Sequence, residues 1–205
     1  MGVQSDVSAV TITADTLAAD PNGISVSAQV ANNAALVIGG ALASGGAVAL
    51  SNARKITITS GGDDDGISFA VVGTDINGVA QTESITGADS GAATSSKFFL
   101  SIASITAVGD PAGTIIAGIS GDSSDIIFAG RSRLKGVYLT STATAGTVDF
   151  LTSSTAGTSL FKISSVASAT ATRDVVIPDE GVLFKEGIYI QYTVSTFLTL
   201  TVFHA

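Results

Sequence analysis

Apolar and polar residues alternate along much of this chain with a period of two. Ile24, Val26, Ala28 and Val30 alternate with Ser25, Ser27 and Gln29, and Ile56 and Ile58 with Thr57 and Thr59. Ile67, Phe69 and Val71 repeat the pattern, as do Phe98, Leu100 and Ile102. A period of two puts the bulky side chains on one face of a strand. The pattern predicts strands at 6–13, 24–30, 56–59, 67–72, 79–85, 97–108 and 114–119. In the second half it predicts them at 134–141, 147–151, 159–164, 173–177, 182–184, 187–194 and 197–203. Short apolar pieces stand at 35–38 and 47–50. Ile105 falls out of phase with Ile102, which predicts a bulge near Ala103-Ser104. No useful length of sequence carries a helical period.

Turn residues punctuate these strands. Asp20-Pro21-Asn22-Gly23 and Asp110-Pro111-Ala112-Gly113 are turns by composition. The cluster Gly61-Gly62-Asp63-Asp64-Asp65-Gly66 and the segment Asp75-Ile76-Asn77-Gly78 separate three consecutive strands. Those three, 56–59, 67–72 and 79–85, are expected to pair as a meander at the centre of the fold. Residues 88–96 read as a loop, and Gly121-Asp122-Ser123-Ser124-Asp125 as a boundary. Ala-Gly-Thr recurs at 112–114, 145–147 and 156–158, each time opening a strand, as recurrent turn chemistry. The apolar segment 197–203 is expected to be an interior strand that ties down the C-terminus. The fold class is therefore all-β, an antiparallel β-sandwich or barrel of Ig-like or jelly-roll-like kind, built of two β modules. Residues 1–50 are expected as a low-charge arm packing on the first module or a neighbouring subunit. Residues 51–121 and 126–205 are the expected modules.

Composition narrows the function. Only 13 % of the 205 residues are charged, and the mean hydropathy is +0.51, so apolar surface needs burial, which contacts between subunits supply. A net charge of −8 with scattered basic residues, apart from Arg131, Arg133 and Lys135, argues against nucleic acid as a partner. Residues 22–53 carry no charge, but Gly39-Gly40 and Gly45-Gly46 cut them into pieces too short to span a bilayer, so no membrane is expected. The opening MGVQSDVSAV has no basic region of a secretory signal, and the absence of cysteine suits assembly in a reducing cytoplasm.

Catalytic chemistry is poorly supplied. The single histidine, His204, lies beside the last residue and is expected to be a solvated chain end. The acidic residues sit in glycine turns, where solvation outweighs a glycosidase pair, and no catalytic residue, cofactor or metal is expected. The calcium candidates are Asp63 and Asp65 in one turn and Asp75 and Asn77 in the next. Successive turns of a meander lie at opposite ends of the strand between them. One combined site is therefore not expected, and the aspartates are expected to serve turn geometry and solubility.

The central segment resembles one that recurs in tailed-bacteriophage virion proteins. The residues that carry the likeness are Arg54-Lys55-Ile56-Thr57-Ile58-Thr59-Ser60, Gly66-Ile67-Ser68-Phe69, Gly73-Thr74-Asp75-Ile76-Asn77-Gly78 and Gln81-Thr82-Glu83-Ser84-Ile85-Thr86-Gly87. The likeness extends over about residues 36–120, and more weakly into the second half. It implies a structural, non-enzymatic protein of the virion, a decoration or cement protein on the outside of the capsid. The implied partners are the major capsid protein and the chain itself, as a homotrimer at local three-fold points. Assembly would take place in the host cytoplasm. A tail, neck or head-fibre component and a bacterial surface adhesin module are the alternatives.

Overall fold

In a computed structural model of the protein, the described residues are 6–153, 157–166 and 171–205; they form strands and turns without a helix. In chain order the strands begin with β1 (Ser8–Thr13), β2 (Asp20–Gln29), β3 (Ala43–Ser44), β4 (Ala47–Ser60) and β5 (Ser68–Thr74). Next come β6 (Ala80–Thr86), β7 (Ala92–Val108), β8 (Thr114–Phe128), β9 (Ser132–Ser141) and β10 (Gly146–Leu151). The last are β11 (Ser159–Ser165), β12 (Thr172–Val176), β13 (Val182–Phe184), β14 (Ile188–Thr193) and β15 (Phe197–His204). Two compact units divide the chain. One is the continuous stretch Ala18–Ser123, and the other joins Met1–Leu17 to Ser124–Ala205. The stretch expected as one arm, 1–50, is thus apportioned between them, with β1 in one unit and β2 and β3 in the other. The third Ala-Gly-Thr begins at residue 156, outside the described residues.

In the unit Ala18–Ser123 the strands run in the order β8-β4-β7-β5-β6, with β2 on β8 and β3 on β4. The expected meander is therefore corrected. The β5–β6 hairpin forms in register, from Ser68↔Thr86 to Thr74↔Ala80, but β7 lies between β4 and β5. The longest strand takes the central place because it carries Phe98, Phe99, Ile102, Ile105 and Ala107, all buried. β4 and β5 are each antiparallel to β7, so they are parallel to each other.

This order sets a length problem. Thr59 at the end of β4 pairs with Ala92, and Ser68 at the start of β5 pairs with Val108. On a straight β7 those points would be about 53 Å apart at 3.3 Å per residue. The chain from 59 to 68 spans at most roughly 30 Å. Consequently β7 must bend, and the ladder shows where. Register shifts fall between Ala49 and Arg54, between Lys55 and Thr57, and between Val72 and Gly73. At the last, Val72 pairs with Ser104 and Gly73 with Ile102, leaving Ala103 as the extra residue of a bulge. That is the bulge the phase break predicted.

Side chains then draw the edge strand β6 back onto β7. The Glu83 carboxylate accepts the backbone N–H of Ser96 at 2.7 Å and of Lys97 at 2.9 Å. Lys97 Nζ donates to the Thr82 carbonyl at 2.7 Å, and Gln81 Nε2 donates to the Phe98 carbonyl. The other side of β7 meets residues 34–36, where Leu36 N–H donates to the Ile105 carbonyl and Ala107 N–H to the Ala34 carbonyl. Arg54, with no exposed surface, is held by main-chain acceptors on β8: its Nε donates to the Asp122 carbonyl and Nη2 to that of Ser120.

The other unit is a sandwich of two antiparallel sheets. One has the order β1-β15-β9-β12, with β13 also on β9; the other runs β11-β10-β14 and onto β8. Leu139, Leu200, Val202 and Phe184 from the first sheet meet Val148, Phe150, Ile163 and Ile190 from the second in one core. β15 lies between β1 and β9, the interior place expected of the last strand.

The bend yields a stability prediction. A Cβ on Gly73 would lie 1.9 Å from the Ser101 carbonyl oxygen, whereas one on Gly66 would meet nothing within 4 Å. Gly73→Ala should cost about 2 kcal/mol or more and lower the melting temperature by roughly 5 °C, while Gly66→Ala leaves it near wild type. Equal melting of the two variants would contradict the tight approach at the bulge.

Candidate functional sites

The residues singled out for chemistry are placed by the turns they build. Asp75 Oδ1 accepts the N–H of Asn77 at 2.9 Å and of Val79 at 2.8 Å, and Gly78 follows with φ +77°. This carboxylate oxygen organises the β5–β6 turn, as aspartate commonly does by bonding backbone two residues on. Asp63 Oδ1 accepts the N–H of Asp65 at 3.4 Å, and Asp63 bridges Asp89 on the following loop. The pair Asp63 and Asp65 lies before β5 and the pair Asp75 and Asn77 after it. Among the described residues no group of three His, Cys, Asp or Glu side chains is placed to hold a metal ion.

The residue that departs from its expected role in turn geometry and solubility is Asp64. It is fully buried; its Oδ1 accepts the Ala112 N–H at 2.7 Å, and its Oδ2 has no hydrogen-bond partner among the described residues. Asp63 lies in an isolated bridge and Asp65 begins a turn, closed by Ile67 N–H donating to the Asp64 carbonyl; both neighbours are exposed while Asp64 is buried. Its bond stitches residues 61–67 to the turn before β8, where Gly61 N–H also donates to the Thr114 carbonyl.

His204 is not a solvated chain end. It is 5 % exposed, its Nδ1 lies 3.1 Å from Ser132 Oγ, and its ring centroid is 4.9 Å from that of Phe128. Ser132 Oγ also donates to the Ala205 carbonyl, so the imidazole is assigned its proton on Nδ1, donating to Oγ. Burial holds its pKa below the ordinary 6.5, because desolvation penalises the charged ring. This serine–histidine contact lies inside the sandwich, with an aromatic ring against the imidazole. The basic group is likewise engaged locally: Arg133 pairs with Glu180 at 3.5 Å, and Lys135 Nζ donates to the Asp179 carbonyl.

Among the described residues, two clefts open to solvent bear on the question. The larger, about 510 Å³, is lined by residues 162–164 and 172–175 along β11 and β12, and its Lys162 is paired to Asp149 at 2.9 Å. The smaller, about 250 Å³ and mostly apolar, lies between the β3–β4 hairpin and β7, lined by Ser44, residues 47–49 and residues 101–103. The hairpin tip is Gly45-Gly46, both with positive φ and open space where a Cβ would point. Val26 and Val37, from the charge-free stretch, are 52 % and 77 % exposed. No helix among the described residues is long and apolar enough to cross a membrane.

No family model matches the chain, and no curated protein matches it in sequence. Two solved structures of Cowpea mosaic virus particles show a distant structural likeness. An empty virus-like particle seen by electron cryo-microscopy is 10 % identical, with 75 % of this chain and 78 % of that chain covered and a TM-score of 0.24. The naturally occurring empty particles of the top component are 12 % identical, with 75 % and 81 % covered and a TM-score of 0.23. At TM-scores this low the likeness establishes no common topology and carries no functional argument.

Two predictions follow from the buried polar groups. Asp64→Ala should lose about 1–3 kcal/mol, whereas Asp64→Asn, which keeps an acceptor for Ala112, should stay within about 1 kcal/mol of wild type. Chemical denaturation of the three proteins checks this, and equal losses would remove the Ala112 bond from the picture. For His204, the folded pKa lies below the unfolded one, so the unfolded chain takes up the proton first. Its contribution is complete above about pH 6.5 and is lost as pH falls through that value toward the lowered folded pKa. Melting temperature should therefore drop between pH 7 and pH 5 more in wild type than in His204→Gln; parallel profiles would show the ring to be solvated.

Proposed function

We propose that this chain is a structural protein of a tailed-bacteriophage virion, decorating and cementing the outside of the capsid by binding the major capsid protein and its own copies. One observation carries the reading: five ionisable side chains are spent on the chain's own backbone. Asp75 and Glu83 accept main-chain N–H groups, Arg54 and Lys135 donate to main-chain carbonyls, and Asp64 ties a connector to a turn. Such spending stiffens a scaffold. It leaves attachment to exposed small and β-branched residues, which lose little side-chain entropy when covered.

The resemblance of residues 54–87 to phage virion segments points the same way. The surface best suited to attachment is the charge-free stretch 22–53, with exposed Val26 and Val37, the Gly45-Gly46 hairpin and the apolar cleft beside it. Contacts of this kind are individually weak and become firm when several copies engage together. A homotrimer set over local three-fold points supplies that multiplicity. A chain without cysteine needs no oxidation to assemble in the host cytoplasm.

The test is binding to shells assembled from the major capsid protein of the same phage, read by co-sedimentation and by copy number in purified particles. Saturable binding and copy numbers on the order of hundreds, matching a symmetric shell, are expected. About a dozen copies or fewer, without shell binding, would move the protein to the tail, neck or a head fibre. No association with particles would overturn the reading.

A further inference from the structure

β1 belongs to one unit but is carried by the chain of the other. After Asp15 the chain runs through residues 16–19, which have no regular structure, and stays in the compact unit Ala18–Ser123 before returning at Ser124. Among the described strands β1 pairs only with β15, along six positions from Ser8↔His204 to Thr13↔Thr199. It is the edge of its sheet.

The seat it fills borders the core, although each β1 residue is itself exposed or half-buried. Val10 and Ile12 pack against the sandwich core, and Ala14 is 6 % exposed within it. Ala14 N–H donates to the Leu198 carbonyl at 3.3 Å, and Asp15 N–H donates to Tyr192 Oη at 3.0 Å. An empty seat would bare apolar core and the backbone edge of β15, so it needs an occupant. Between Asp6 and Asp15 the occupant carries no charge. A copy of the segment arriving from another chain therefore brings one carboxylate, that of Asp15 at its inner end, and is otherwise uncharged. The contacts are the same whichever chain supplies the strand. The closed and exchanged forms then differ only in the connection through 16–19 and in the effective concentration of strand and seat.

We propose that residues 8–15 form an exchangeable strand, which takes the β15 seat of a second copy when copies fold and assemble together. Exchange links chains through a full antiparallel ladder instead of a surface contact. This goes beyond the proposed place in a virion and does not depend on it.

The absence of cysteine makes the test clean, because introduced thiols are the only ones present. Thr11 Oγ1 and Thr201 Oγ1 are 2.8 Å apart across the β1–β15 ladder on its exposed side, within reach of a disulfide after substitution. Full-length T11C and T201C chains are co-expressed, purified, oxidised and analysed by non-reducing electrophoresis and peptide mass spectrometry. Exchange predicts a covalent heterodimer joined through these two positions, engaging about half of the T201C chains as random partnering gives. Closure of the double variant T11C/T201C within single chains, with no heterodimer from the co-expressed pair, would overturn the proposal.

Discussion

The fold of the unit Ala18–Ser123 depends on one constraint: a single long strand, β7, must serve β4 with its first part and β5 with its second. The connector between those partners is too short to follow a straight strand, so the sheet has to bend. Everything distinctive about the unit answers that demand. Bulges take up the curvature, Gly73 gives the Ser101 carbonyl room at the bend, and Glu83 clasps the freed edge of β7 from across the curl. The acidic connector is pinned by Asp64 on one side and by backbone bonds to residues 88–91 on the other. The bend is thus held at several points along its length.

Local chemistry was mostly legible in the sequence, although Asp20-Pro21-Asn22-Gly23, expected as a turn, opens β2; pairing was not legible. Alternation located the strands, because each buried face reads directly as a period of two. The Asn-Gly turn placed the β5–β6 hairpin, and the phase slip from Ile102 to Ile105 marked the bulge at Ala103. The meander failed because neighbours in sequence are only the commoner neighbours in a sheet. Nothing within residues 54–87 reports that a strand from 92–108 will come between. Two stretches read as loop or boundary are wholly or partly strand: of residues 88–96, 92–96 begin β7, and 121–125 continue β8. Both are made of small polar residues with weak intrinsic preference, and strand partners far along the chain decided them. Ser123 and Ser124 are buried there, and Ser124 Oγ donates to the Ile190 carbonyl.

The candidate site was legible to the same degree. The roles of Asp63, Asp65 and Asp75 as turn builders follow from residue type and spacing. The burial of Asp64 could not be read, because the Ala112 N–H that it accepts lies far along the chain. His204 could not be read, because its surroundings come from β9 and from Phe128, far away in sequence. The common thread is that Arg54, Asp64, Asp75, Glu83 and Lys135 hold backbone, while valines of the charge-free stretch 22–53 such as Val26 and Val37 stand exposed. In the proposed role this is an economy: stiffness comes from internal polar bonds, and adhesion from repetition of weak contacts.

The most direct measurement is a density map of the purified particle whose genome encodes this chain. The proposed role predicts density for both compact units repeated with the symmetry of the shell on its outer surface, touching the major capsid protein. A particle whose shell surface carries no such density, with the chain recovered as a free monomer, would contradict it.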